Sequence, residues 1–156
     1  MTLDMKNPIS LDALDNALRN AQEPSLDLLS KIIAGACTRI PVFAWAEPLT
    51  RVIYLAEIAA WTEATFALIK LELPLWQVRR LAYENNQWLC SLSRQPNLPM
   101  ALDDCAEANH EVLPLAMLRA FVEACRTRCR VQKSVSVVPQ VAQPTVDHFI
   151  CCENYR

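Results

Sequence analysis

Apolar positions recur about every 3.6 residues through most of the first 72 positions, about every second residue from 75 to 93, and with helical period again from 113 to 130. Ser10 is placed to cap a short helix in which Leu11, Leu14, Ala17, Leu18 and Ala21 share one face. Asp12, Asp15, Asn16 and Arg19 share the other. After Glu23-Pro24, Ser25 caps a second helix with an inner face of Leu26, Leu29, Ile32, Ile33, Ala36, Cys37 and Ile40, which Pro41 stops. The stretch PVFAWAEP reads as a connector. Pro48 is tolerated in a first helical turn and opens a long helix running to about Glu72, ended by Pro74. Its charges Arg51, Glu57, Glu63, Lys70 and Glu72 do not gather on one side, so the spacing predicts a helix buried on several sides by the fold or by another subunit.

The shorter period that follows is that of strands. With Asn85-Asn86 as a two-residue turn, Tyr83 falls opposite Trp88 and Leu81 opposite Cys90, and asparagine tolerates the positive φ such a turn requires. The hairpin then carries Leu81, Tyr83, Trp88, Cys90 and Leu92 on an inward face, and Val78, Arg80, Ala82, Leu89, Ser91 and Ser93 on the outer one. Trp88 is expected to be buried against the long helix with Leu81 and Leu92 around it. The segment QPNLPMALDDCAEANHE reads as a loop, with a third strand allowed near Met100 to Leu102 and an acidic turn or short helix after it. A last helix spans about Leu113 to Arg130. The tail, mixing valine, proline, glutamine and serine, predicts flexibility.

These elements predict a mainly helical α+β fold, with helices packed on one face of a small antiparallel β-hairpin and a flexible C-terminal tail. The expected organisation is an N-terminal helical segment (1–47), a helix–hairpin–helix core (48–130) and the tail (131–156). NQWLCSLSRQPNLP followed by HEVLPLAMLRAFVEA resembles a pattern of the WxCSLS…HExLPLA type in short uncharacterised proteins of alphaproteobacteria, over about residues 60 to 126. That resemblance implies a helix, hairpin, helix unit and brings no activity with it.

Composition excludes more than it suggests. The single glycine, Gly35, stands where average usage would give about 11, and glycine-rich phosphate and dinucleotide loops are thereby excluded. The two histidines, His110 and His148, are too few for a three-histidine zinc site, and Pro114 occupies the position a zinc-protease helix starting at His110-Glu111 needs for its second histidine. The net charge of −2 gives no global attraction to nucleic acid or anionic membrane. The N-terminus has no basic start or apolar run, so a cytoplasmic location is expected, with the seven cysteines as thiols. Across Val52 to Leu71, Glu57, Glu63 and Lys70 cost roughly 8 kcal/mol at mid-membrane, more than the apolar residues gain, so no span is expected.

Four constellations carry candidate chemistry. Cys125, Cys129, His148, Cys151 and Cys152 supply soft ligands for zinc, in a spacing unlike the standard C-x2-C fingers. Cys125 and Cys129 also fall on the apolar stripe of the last helix with Leu118, Phe121 and Val122, where small thiols pack as core. Cys90 and His110, with Asp103 or Asp104, have the composition of a nucleophile and base, although Cys90 shares its strand face with Trp88 and Leu92. Glu107-x2-His110 has the spacing of half a di-metal motif, inside a segment that also reads as a solvated acidic helix start. Arg119, Arg126, Arg130 and Lys133 form one helical stripe, with Arg79, Arg80 and Arg94 near the hairpin, but no nucleic-acid motif accompanies them and Glu123 interrupts the stripe.

The expected function is that of a non-catalytic protein–protein interaction or assembly module without cofactor, self-associating as a homodimer through the long helix. A nucleic-acid-associated protein using the arginine stripe is the first alternative. A thiol or zinc protein using the C-terminal cysteines is the second.

Overall fold

Both serine caps form. The structure, a computed structural model, describes residues 9–39 and 47–135. In α1 (Leu11–Asn20) the Ser10 hydroxyl accepts the Ala13 N–H, and in α2 (Leu26–Ala36) the Ser25 hydroxyl accepts that of Leu28. Leu14 and Leu18 of α1, and Leu29, Ile32 and Ala36 of α2, enter the core. Gly35 sits where the two helices cross, and a Cβ there would lie 3.0 Å from Leu14 Cδ1 and 3.2 Å from the Ile9 carbonyl oxygen. Tight packing of Leu14 and Ile9 over this position leaves little room for a side chain there. Helix α2 ends at Ala36 rather than near Ile40, because the next amides are drawn away from the helix by a carboxylate described below. Ile40, Pro41 and the connector to residue 46 lie outside the described residues, as do residues 136–156 of the expected tail, whose first five positions, 131–135, are instead the end of the last helix.

The long helix expected from Pro48 to Glu72 is two helices, α3 (Glu47–Glu57) and α4 (Trp61–Glu72), packed on each other. The break is a Schellman turn. Ala59 takes the left-handed position at φ 62°, the Ala60 N–H donates to the Leu55 carbonyl (2.8 Å), and the Ala59 N–H donates to that of Ala56 (3.1 Å). Glycine usually fills this position, and an L side chain there costs about 1–2 kcal/mol. Alanine leaves no sequence signal for the turn. Ala59→Gly is therefore expected to stabilise the protein by about 0.5–1 kcal/mol, after allowance for the extra freedom glycine gives the unfolded chain, and urea denaturation with an unchanged slope measures it. A loss of stability would remove the strain argument.

The hairpin forms in the expected register. Strand β1 (Gln77–Glu84) pairs antiparallel with β2 (Gln87–Ser93), with Tyr83 opposite Trp88, Leu81 opposite Cys90, and Asn85 and Asn86 at φ 51° and 62°. An irregularity between Val78 and Arg80 sets Val78 opposite Leu92, on the inner face and not the outer. A third strand, β3 (Ala106–His110), pairs with β2 to give the order β1-β2-β3. It lies in the segment expected to be an acidic turn or helix. Met100–Leu102, the place expected for a strand, is a single 3-10 turn.

Helix α5 (Leu113–Val135) is the centre of this mainly helical α+β fold. It lies across the inner face of β2 and β3, and α1, α2 and α4 pack on its other sides. Leu115, Ala116, Met117, Leu118, Ala120, Phe121, Val122, Ala124 and Cys125 are all buried. They join Leu14, Leu18, Ile32, Val52, Leu68, Cys90 and Leu92 in one core. The helix enclosed on several sides is thus the last one, and the α3–α4 hairpin leaves Tyr54, Ile58 and Phe66 exposed. Because α5 stops at β2 and β3, β1 overhangs, and Leu81 and Tyr83 are 39% and 56% exposed despite facing the inner side. Trp88 is consequently only partly buried, its ring centroid 5.1 Å from that of Tyr83, and its cover comes from α5 rather than α4.

Candidate functional site

Strand alternation decides the first two constellations. Ala106, Ala108 and His110 pair with Leu92, Cys90 and Trp88, so this row faces α5, while Glu107 and Asn109 alternate to the opposite side. Glu107 and His110 thus point away from each other, and the half-motif for two metals does not assemble. Cys90 is fully buried opposite Ala108, two pairs along the ladder from His110, and burial pushes its thiol up to about 12. A thiol held protonated at neutral pH is a poor nucleophile. His110 Nδ1 accepts the Val112 N–H at the start of α5 (3.0 Å), and its ring lines an open polar cleft of about 720 Å³ with Arg19, Gln87 and Arg119.

Asp103 has a local role. Its carboxylate accepts from Arg79, from the Ser93 hydroxyl and from the Cys105 thiol, while Arg79 also donates to the Leu98 carbonyl (2.7 Å). The Ser93 bond, followed by those from Cys105 and Arg79, holds the Asp103 carboxyl below its ordinary range. This pins the 94–105 loop to the sheet. Asp104 is exposed and takes no part.

The arginine stripe is used inside the fold. Arg119 Nε donates to Asp15 of α1 (2.9 Å) and its guanidinium reaches the Asn109 carbonyl; Arg126 pairs with Asp12 (2.6 Å) and Glu123. Partial burial opposes ionisation of Asp15, yet Arg119, Arg19 and Arg126 outweigh it and hold its carboxyl below the usual range. These pairs staple α1 to α5. Arg130 is also engaged, and the Lys133 side chain lies outside the described residues. A phosphate backbone would have to compete with these partners for the same donors.

The densest buried polar group was not legible as a site. Glu72, fully buried at the end of α4, accepts the Thr38 N–H (3.0 Å), the Arg39 N–H (3.1 Å) and an Arg128 N–H (2.7 Å). Arg128 in turn donates to the Glu72 carbonyl and the Thr38 hydroxyl, both at 3.1 Å. Cys37 and Cys125 lie close enough to feel this charge. Burial is the main cause of their raised thiol values, with Cys125 pushed up to about 12. Of the zinc candidates, Cys125 is core and Cys129 is partly buried, while His148, Cys151 and Cys152 lie outside the described residues. Among the described residues no group of three or more His, Cys, Asp or Glu is placed to hold a metal ion, and no helix is long and apolar enough to cross a membrane. The signal for Glu72 was faint: an acid just before the proline that ends an apolar helix, matched by an arginine 56 positions later.

Among the described residues, the outer edge of β1 is one feature whose polar and apolar groups are not taken up by the fold. Set against known proteins, the chain matches no family model, no curated protein and no solved structure.

Proposed function

We propose that this protein is a non-catalytic assembly module whose first partner is a second copy of itself, joined edge to edge through β1. The observation that carries this is the overhang of β1, a strand of eight residues with no described strand on its outer side and with Leu81 and Tyr83 exposed beside the core. In a hairpin closed by a two-residue turn, hydrogen-bonded and non-hydrogen-bonded pairs alternate from the turn outward. That alternation leaves the N–H and C=O groups of Leu81 and Tyr83 pointing away from β2. A two-fold axis at Ala82 then satisfies them with the second copy, sets Leu81 against its Tyr83, and sets Arg80 against its Glu84. The neighbouring registers, centred on Leu81 or Tyr83, lose the opposite-charge pair. Each aromatic–aliphatic or charged cross-strand pair contributes about 0.2–1 kcal/mol, and symmetry supplies each twice. Within one copy, Arg80 and Glu84 already contact each other along the strand, so these ion pairs are exchanged rather than gained, and the Leu81–Tyr83 pairs carry the net contribution.

Light scattering on the full-length chain at about 100 µM is expected to report a dimer. Leu81→Pro removes an outward N–H without touching the β1–β2 ladder, and is expected to give a monomer that still melts cooperatively. Glu84→Arg is expected to weaken the dimer, with Arg80→Glu in the same chain restoring it. A monomer mass for the parent protein overturns self-assembly. A dimer indifferent to Leu81→Pro but broken by Ile58→Asp keeps assembly and moves it to the exposed α3–α4 face.

A further inference from the structure

We propose that the cleft at the end of α4 binds a small carboxylate carrying an apolar body. This goes beyond the assembly reading and does not rest on it. The cleft, about 260 Å³, lies between the residues following α2, the α4–β1 connection, Arg94 after β2, and the last turns of α5. Its apolar wall is made by Leu73, Leu75, Trp76 and Val131. Trp76 is 6% exposed, so the ring is fixed by the core and shows only one margin to the cleft.

Three arginines, Arg39, Arg94 and Arg128, converge on this wall from separate elements. Their bonding differs. Arg128 is neutralised by Glu72 and held in place by it, by Thr38 and by a backbone carbonyl. Arg19, Arg79, Arg80, Arg119 and Arg126 each have a carboxylate. Arg39 and Arg94 have none among the described residues, although the chain carries 17 acidic residues against 15 basic ones. The Arg39 backbone is fixed by its N–H bond to Glu72, so the base of that side chain is anchored while its guanidinium stays available. The cleft therefore has a surplus of two positive charges beside an apolar wall that water does not satisfy.

A planar guanidinium matches a carboxylate with two parallel hydrogen bonds, and Trp76, Leu73 and Leu75 suit a short hydrocarbon or an aromatic ring. The volume sits just below the usual range for ligand pockets, so the ligand is of fragment size. Inorganic phosphate satisfies the charge and leaves the wall wet. An alcohol of the same length covers the wall and leaves the charges unmet.

The test is calorimetric titration of the full-length chain with hexanoate, hexanol and inorganic phosphate, alongside the quenching of tryptophan emission. Hexanoate is expected to bind saturably, at least tenfold more tightly than either control, with quenching that disappears in Trp76→Phe. Arg39→Gln and Arg94→Gln change exposed side chains, are expected to melt like the parent, and should each weaken hexanoate at least tenfold. No saturable hexanoate binding, or binding unchanged in both arginine variants, overturns the proposal. Phosphate binding as tight as hexanoate removes the apolar body from it. Because Arg39 and Arg94 lie outside β1, these outcomes leave the subunit count at its parent value, and loss of the dimer leaves them unaffected.

Discussion

Glu72→Ala is expected to cost the fold about 3–5 kcal/mol, a large part of the roughly 5–15 kcal/mol that holds a domain of this size together. Desolvating a carboxylate is expensive, and the native structure offsets it with two backbone amides, a hydroxyl and a guanidinium converging on Glu72. Removing the carboxylate strands all of them. Arg128 keeps its charge in a site only 16% exposed, and the Thr38 and Arg39 amides lose their acceptor. Adding Arg128→Met to Glu72→Ala is expected to recover part of the loss, because the uncompensated charge goes with it. Denaturant midpoints of the two variants measure both effects. A cost below about 1 kcal/mol would mean that water already screens the pair, as at an exposed ion pair.

Phe121→Ala is expected to cost about 3–5 kcal/mol, and Trp88→Ala about 1–2 kcal/mol. Phe121 is fully buried on the helix against which β2, β3, α1, α2 and α4 pack, so its removal leaves a cavity inside the core. Trp88 lies where the cover of α5 gives out. The order of the two effects, read from thermal or chemical unfolding, identifies which element carries the core. A larger loss for Trp88 would place the core at the hairpin, as the strand pattern alone suggested.

What the sequence revealed was local. Ser10 and Ser25 announce their helices because a cap acts within one turn, and Asn85-Asn86 fixes the hairpin register because the turn chemistry sits between the strands it aligns. What it concealed was set at a distance. Ala106–His110 has little intrinsic strand preference and becomes a strand because β2 offers an edge and α5 covers the result. The break at Ala59 uses a residue that usually favours helix, so pattern reading runs straight through it. Val78 crosses to the inner face through a bulge that alternation does not anticipate. Glu72 and Arg128 are ordinary as isolated letters, and only the fold brings the carboxylate to Thr38 and Arg39.

The central position of α5 also bears on the order in which the chain is made. Asp15 waits for Arg119, 104 residues later, and Asp12 waits for Arg126, 114 residues later. At translation rates of about 5–20 residues per second, α1 is outside the ribosome for about 5–20 s before its ion-pair partners exist. Through that interval the apolar face of α1 lacks the surface it is built to meet, and α2 and α4 wait for shorter times in their turn. Native packing during synthesis is therefore late and abrupt, completed only when the helix at the middle of the structure has emerged.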